Sequence, residues 1–194
     1  VTNLVKLLAL KEDWDAARSF AQRLVDSEKS KALGYFLMAG VDARLEDDDS
    51  AIKNLKASLK SQPKGVESLT SLSTLIIKKS GLEAAVNFVS EHCESYPKQA
   101  HCHHLLGGLY AQSGDLDNAI AKFEAALALN DKLLTTYRQL AKVYGFQRNK
   151  EGVIAVLERG IAATQDQGLA FDMANFYYQI RDYQKSSEIY LSMI

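Results

Sequence analysis

Proline is nearly missing from this chain: among 194 residues only Pro63 and Pro97 occur. Proline breaks helix interiors, so its scarcity leaves room for long uninterrupted helices. Cysteine is as scarce, with Cys93 and Cys102 alone. Two cysteines make no disulfide framework and leave the redox compartment open. No apolar run nears the roughly 18 residues needed to cross a bilayer, so no direct membrane span is expected. An excess of one charge is missing too, with 23 basic against 24 acidic residues. That balance gives no electrostatic reason to expect nucleic acid or an anionic membrane as partner. Alternating runs bounded by Asn-Gly or Gly-Asn turns are absent, which argues against strands. The chain starts at Val1 rather than Met. It is expected to be an excised piece whose targeting segment lies elsewhere, so cytoplasm and bacterial periplasm both stay open.

Catalytic signatures are also lacking. There is no GxSxG, no HExxH and no Cys-His nucleophile pair. The glycines of HHLLGG, residues 103–108, follow no strand and precede no Lys-Ser/Thr, so they form no phosphate loop. The carboxylates of RLEDDDS, residues 44–50, lack the alternating ligands and bend glycine of a calcium loop. They read as a solvated turn whose Asp or Ser caps the next helix. The fragment is expected not to be an enzyme and to need no cofactor.

What is present is a period. Ala17, Ala51, Ala85 and Ala119 are each 34 residues apart, the next step reaches Val153, and the two prolines share the spacing. With these alanines at position 20, position 7 reads Leu4, Met38, Leu72, Leu106, Leu140, and position 24 reads Ala21, Leu55, Val89, Phe123, Leu157. Position 28 reads Val25, Leu59, Cys93, Leu127, Ile161, and a sixth copy with one residue deleted near 166 ends on Ile194. Each copy has two apolar-periodic stretches around a polar break: KED, EDDD, KSG, SGD, QRNK and RD in turn. That is a helix-turn-helix repeated about six times, over residues 1–31, 32–65, 66–99, 100–133, 134–166 and 167–194. Small residues at positions 8 and 20 let paired helices cross closely, which sets Gly107 opposite Ala119. One hairpin cannot bury its own apolar face, whereas stacked hairpins can.

The stretch HLLGGLYAQSGDLDNAIAKFEAALALND, residues 104–131, resembles a tetratricopeptide repeat, with Leu106-Gly107, Tyr110, Gly114-Asp115, Ala119, Phe123 and Ala126 at signature positions. The second copy departs from the pattern: Asp42 replaces an aromatic and Asp48 an apolar residue, so a shifted helix or irregular turn is expected there. The resemblance implies an all-α, right-handed α-solenoid of about six hairpins, forming a single domain cut from a longer bacterial-type array.

HCESYPKQAHCHH, residues 92–104, holds every histidine and cysteine of the chain. The frame puts Cys93 in an apolar slot, Cys102 in a small one and His103 where Tyr35 and Tyr137 sit in other copies; His92 is the odd residue. Packing is the leading account of these residues, and on it Cys93→Val is nearly neutral. A Cys93–Cys102 disulfide is the alternative in an oxidising compartment, because position 28 of one hairpin lies near position 3 of the next. The spacing lacks CxxC and H-x3-5-H, so no metal site is expected, with adventitious metal binding by His101 and His104 as a lesser alternative.

The resemblance further implies that positions 2, 5, 9, 12 and 13 of each first helix line a concave groove. Its liners include His101, His104, Arg138, Lys142, Phe146, Phe171, Asn175 and Tyr178. Aromatic rings, cations and an amide suit a peptide hot spot. A chaperone-tail clamp is not matched, since Thr70, Thr74, Leu105, Thr135 and Gln139 replace its Lys, Asn and Arg. The expected function is a non-enzymatic scaffold for a protein or peptide partner. The alternative is a regulatory or targeting arm of a larger enzyme, or part of a bacterial exopolysaccharide-export or protein-sorting lipoprotein system. Leu191, Met193 and Ile194 have nothing after them to cover them, which suggests self-association through the C-terminal hairpin.

Overall fold

The computed structural model describes residues 7–8 and 11–193, and the expectations for Leu4 and Ile194 lie outside the described residues. Between Trp14 and Ser192 the chain forms eleven helices: α1 (Trp14–Val25), α2 (Lys31–Arg44), α3 (Asp48–Ser61), α4 (Val66–Ser80), α5 (Leu82–Ser95), α6 (Ala100–Ser113), α7 (Leu116–Leu129), α8 (Leu134–Phe146), α9 (Lys150–Thr164), α10 (Gln167–Gln179) and α11 (Tyr183–Ser192). No strand occurs among the described residues, and none of their helices is long and apolar enough to cross a membrane. The architecture is the all-α class of stacked helical hairpins. It divides into two compact units, residues 1–92 and 93–194.

The helices turn on one recurring device. Glu12, Glu46, Gly114, Arg148 and Arg181 adopt left-handed φ values of 57°, 59°, 84°, 57° and 66°. The next residue (Asp13, Asp47, Asp115, Asn149 or Asp182) then caps the following helix, its side chain accepting from the backbone N–H three residues on. The left-handed residue reverses the chain, and the cap satisfies an orphan donor of the new helix. The turn after α4 differs: Gly81 is the positive-φ residue there and offers no side-chain cap.

In the first unit the alanines of the 34-residue frame, Ala17, Ala51 and Ala85, are fully buried, beside Leu55, Leu72 and Val89. Around Ala17 and Ala21 pack Leu37 and Val41, with Trp14, Phe20 and Phe36 closing the cluster. The second copy corrects one expectation. Its first helix is not shifted and its turn is regular, because Asp42 occupies the buried aromatic slot with its polar atoms satisfied. The carboxylate accepts from Arg18 Nη2 at 2.7 Å and from Asn54 Nδ2 at 2.7 Å. Asp47 caps α3, while Asp48 pairs with Lys78 at 2.6 Å and Asp49 with Lys79. Ser58 Oγ bonds Ala32 O and Ser68 Oγ, each at 2.8 Å.

In the second unit α6 packs on α7, α8 on α9 and α10 on α11. Phe123, Tyr137, Leu140, Val153, Leu157 and Leu169 form the continuous core. Each such side chain contributes about 1.5–3 kcal/mol through burial. Gly107 lies against the Phe123 ring: a Cβ at 107 would be 2.8 Å from Phe123 Cδ1. The close crossing expected at Gly107 is therefore filled by the aromatic residue one turn past Ala119 on α7. The deletion near 166 leaves only Gln165 and Asp166 between α9 and α10; Gln165 is left-handed and Asp166 caps α10.

The two cysteines are joined. Cys93, in the last turn of α5, bonds Cys102, in the first turn of α6, and both are buried. This corrects the reading of two packed thiols and the neutral Cys93→Val that followed from it. Positions 28 and 3 do carry packing residues, but here the packing contact is covalent. His92 and His103 each hold a proline carbonyl: His92 Nε2 that of Pro63 at 3.0 Å, His103 Nε2 that of Pro97 at 2.9 Å.

Candidate functional site

The first helices of the last two hairpins, α8 and α10, carry side chains at three- and four-residue steps. On α8 these are Arg138, Lys142 and Phe146; on α10 they are Phe171, Asn175 and Tyr178. Residues so spaced share a helix face. Between the two helices lies a cleft of about 610 Å³. Ala141, Val153, Leu157 and Phe176 give it apolar walls, and Arg138, Lys142, Asp172, Asn175 and Gln179 give it polar ones.

Arg138 is held in place. Its Nε donates to Asp172 Oδ2 at 2.6 Å, and Nη2 lies 3.7 Å from Asp166 Oδ1. The hydrogen bond to Asp172 secures its charge and pushes its pKa up. Gly168 makes room for the guanidinium, since a Cβ there would lie 2.5 Å from Arg138 Nη2. Lys142 is exposed and has no ion pair among the described residues. Asn175 Oδ1 accepts from the Tyr190 hydroxyl at 2.7 Å, which commits the oxygen and leaves the amide N–H groups as its donors to a ligand. A Cβ at Gly145 would meet nothing within 4 Å, so the α8 wall is open at that point.

The aromatic residues stand on the same two helices without lining the cleft. Phe146 is 74% exposed, Tyr178 61% and Phe171 49%. Phe171 meets the Tyr190 ring edge-on at 5.7 Å, and Tyr178 meets Tyr183 at 5.4 Å. Large rings held this open are the kind of surface that partners cover.

His101 and His104 are not part of this cleft. They lie on α6, with ring centroids 5.8 Å apart. His104 is half-buried: Nδ1 bonds Thr136 Oγ1 at 2.8 Å and the ring packs 5.7 Å from Phe123. Burial first, and the neighbouring His101 second, push its pKa down. His104 therefore serves the α6–α8 packing as much as any surface. The described residues hold no group of three or more His, Cys, Asp or Glu placed to bind a metal.

Sequence reasoning missed Asp166, Asp172, Gly168 and Gly145. A signal for Asp172 existed: with one residue deleted near 166, it stands one repeat and one position after Arg138, which it meets across neighbouring hairpins. Glu124 and Arg159, 35 residues apart and paired at 2.8 Å, share that offset in the 34-residue frame.

Residues 100–133 match the family model described as tetratricopeptide repeat. No curated protein matches the chain. Among solved structures, TTC0263, a thermophilic TPR protein of Thermus thermophilus, is 21% identical over 91% of this chain and 96% of its own, with a TM-score of 0.61. YrrB, described as a TPR protein with an unusual peptide-binding site, is 19% identical over 86% of each chain, with a TM-score of 0.55. PilW, a type IV pilus biogenesis factor, is 13% identical over 99% of this chain and 90% of its own, with a TM-score of 0.66. Identities this low speak to the fold alone.

Proposed function

This chain has the tetratricopeptide-repeat fold, with a repeat of that family at residues 100–133, and from that premise we propose that it is a non-enzymatic scaffold holding a protein or peptide segment in the cleft between α8 and α10. One observation carries the reading: a cleft of about 610 Å³ with apolar walls, pre-oriented polar groups and an open point at Gly145. Hot spots combine such a floor with fixed polar groups and aromatic rims. YrrB's description as a peptide binder supports a peptide as the class of ligand.

Gly145→Leu is the test variant. It adds bulk into open space and improves helix propensity by up to about 1 kcal/mol, so the fold is kept while the cleft is filled. Peptides selected on the wild-type chain should lose binding to this variant at unchanged or raised thermal stability. Peptides that bind wild type and the variant equally would place the binding surface elsewhere. A triple Arg138/Lys142/Tyr178 alanine variant gives a second reading on the same surface.

A further inference from the structure

Three charged side chains line the α8–α10 cleft, and they are not equivalent. Arg138 is compensated by Asp172 at 2.6 Å, with Asp166 at 3.7 Å, and Gly168 lets its guanidinium settle there. Asp172 is occupied by the same bond. Lys142 alone is left, exposed and without an ion pair among the described residues. Among the charged side chains that line the cleft, Lys142 is thus the one whose ammonium is open to a ligand's carboxylate, beside the apolar patch of Val153, Leu157 and Phe176. Asn175 and Gln179 add amide donors, and Gly145 leaves space for main chain.

We propose that the ligand of this cleft is a peptide segment carrying an internal Asp or Glu next to an aliphatic or aromatic residue, with the carboxylate paired to Lys142 and the apolar side chain on the Val153–Leu157–Phe176 patch. The proposal rests on the scaffold reading above and adds the chemistry of the partner. Complementary charge selects and steers such a ligand, and like charge repels the wrong one. Arg138 acts here as a positioning residue: satisfied by Asp172, it fixes the cleft wall and does not compete for the ligand's carboxylate.

The experiment is selection of a random linear peptide display library on the wild-type chain, followed by anisotropy titration of the enriched peptides. Acidic residues beside an apolar one should dominate the enriched set. Lys142→Glu should weaken the best peptide roughly tenfold or more, and changing the peptide's Asp or Glu to Lys should restore binding to that variant. Wild-type affinity should also fall with added salt. Peptides lost on Gly145→Leu yet indifferent to Lys142→Glu and to their own acidic residue would overturn the charge assignment and leave the scaffold reading standing. A selection yielding no peptide sensitive to Gly145→Leu would overturn both.

Discussion

At the scale of single residues, the Cys93–Cys102 bond has the clearest consequence. The two positions are nine residues apart, and closing so short a loop restrains the unfolded chain by about 2.5 kcal/mol. Cys93→Val or Cys102→Ala should therefore cost about that much, a fall of roughly 5–10 °C in thermal midpoint for a chain of this size. Reductant should lower the wild-type midpoint toward the variants and leave theirs unchanged. Midpoints unaltered by either treatment would show that the bond contributes nothing to the folded state. His104 sets a second residue-scale expectation. Its folded pKa is pushed below the ordinary value by burial and by His101, so the unfolded chain binds the proton more readily. Its contribution is complete above the ordinary histidine pKa of about 6.5 and is lost as pH falls from there through the depressed folded value. Replacing His104 by Gln should flatten the fall of thermal midpoint between roughly pH 7 and 5 relative to wild type. An unchanged slope would mean that His104 protonates as easily in the folded chain.

At the scale of elements, the turns carry the argument. Gly114 and Arg148 hold equivalent left-handed positions, but only glycine does so without steric cost. Gly114→Ala should cost about 1 kcal/mol, whereas Arg148→Gly should be neutral or stabilising by up to about 1 kcal/mol. Gly81→Ala should cost roughly 1–3 kcal/mol, because Gly81 holds φ 88° and ψ 171°, a conformation that side chains rarely adopt. Urea midpoints read all three, and a destabilising Arg148→Gly would contradict the turn assignment. Elements were the most legible level in the sequence. A 34-residue step in Ala17, Ala51, Ala85 and Ala119 marks the helix pair directly, because only small residues fit that buried crossing. Polar residues in apolar slots were less legible. Asp42 looked like a fault in the pattern because its partners, Arg18 and Asn54, stand 24 and 12 residues away. Cys93 and Cys102 fitted packing slots so well that the covalent bond between them was not needed to explain their positions. Arg138 was readable as a cation, but not as one already neutralised, because Asp172 reaches it only through the stacking of hairpins.

At the scale of the molecule, each unit offers a cleft of its own kind. In the first unit Phe36, Ala39, Gly40, Leu55, Thr74 and Leu75 line a slot of about 320 Å³ with no charged side chain, and a separate space of about 610 Å³ is walled mainly by charged and polar side chains such as Glu28, Lys29, Lys31, Lys60 and Gln62. In the second, the charged cleft of about 610 Å³ between α8 and α10 holds the polar groups that orient a ligand. Ligand sites join apolar walls to a few fixed polar groups, and the α8–α10 cleft has both, so recognition is proposed on the second unit. Hydrogen–deuterium exchange of the chain with and without a selected peptide tests this most directly. Added protection is expected in α8 (Leu134–Phe146) and α10 (Gln167–Gln179), abolished by Gly145→Leu. Peptide-induced protection confined to other helices, or unaffected by Gly145→Leu, would contradict it.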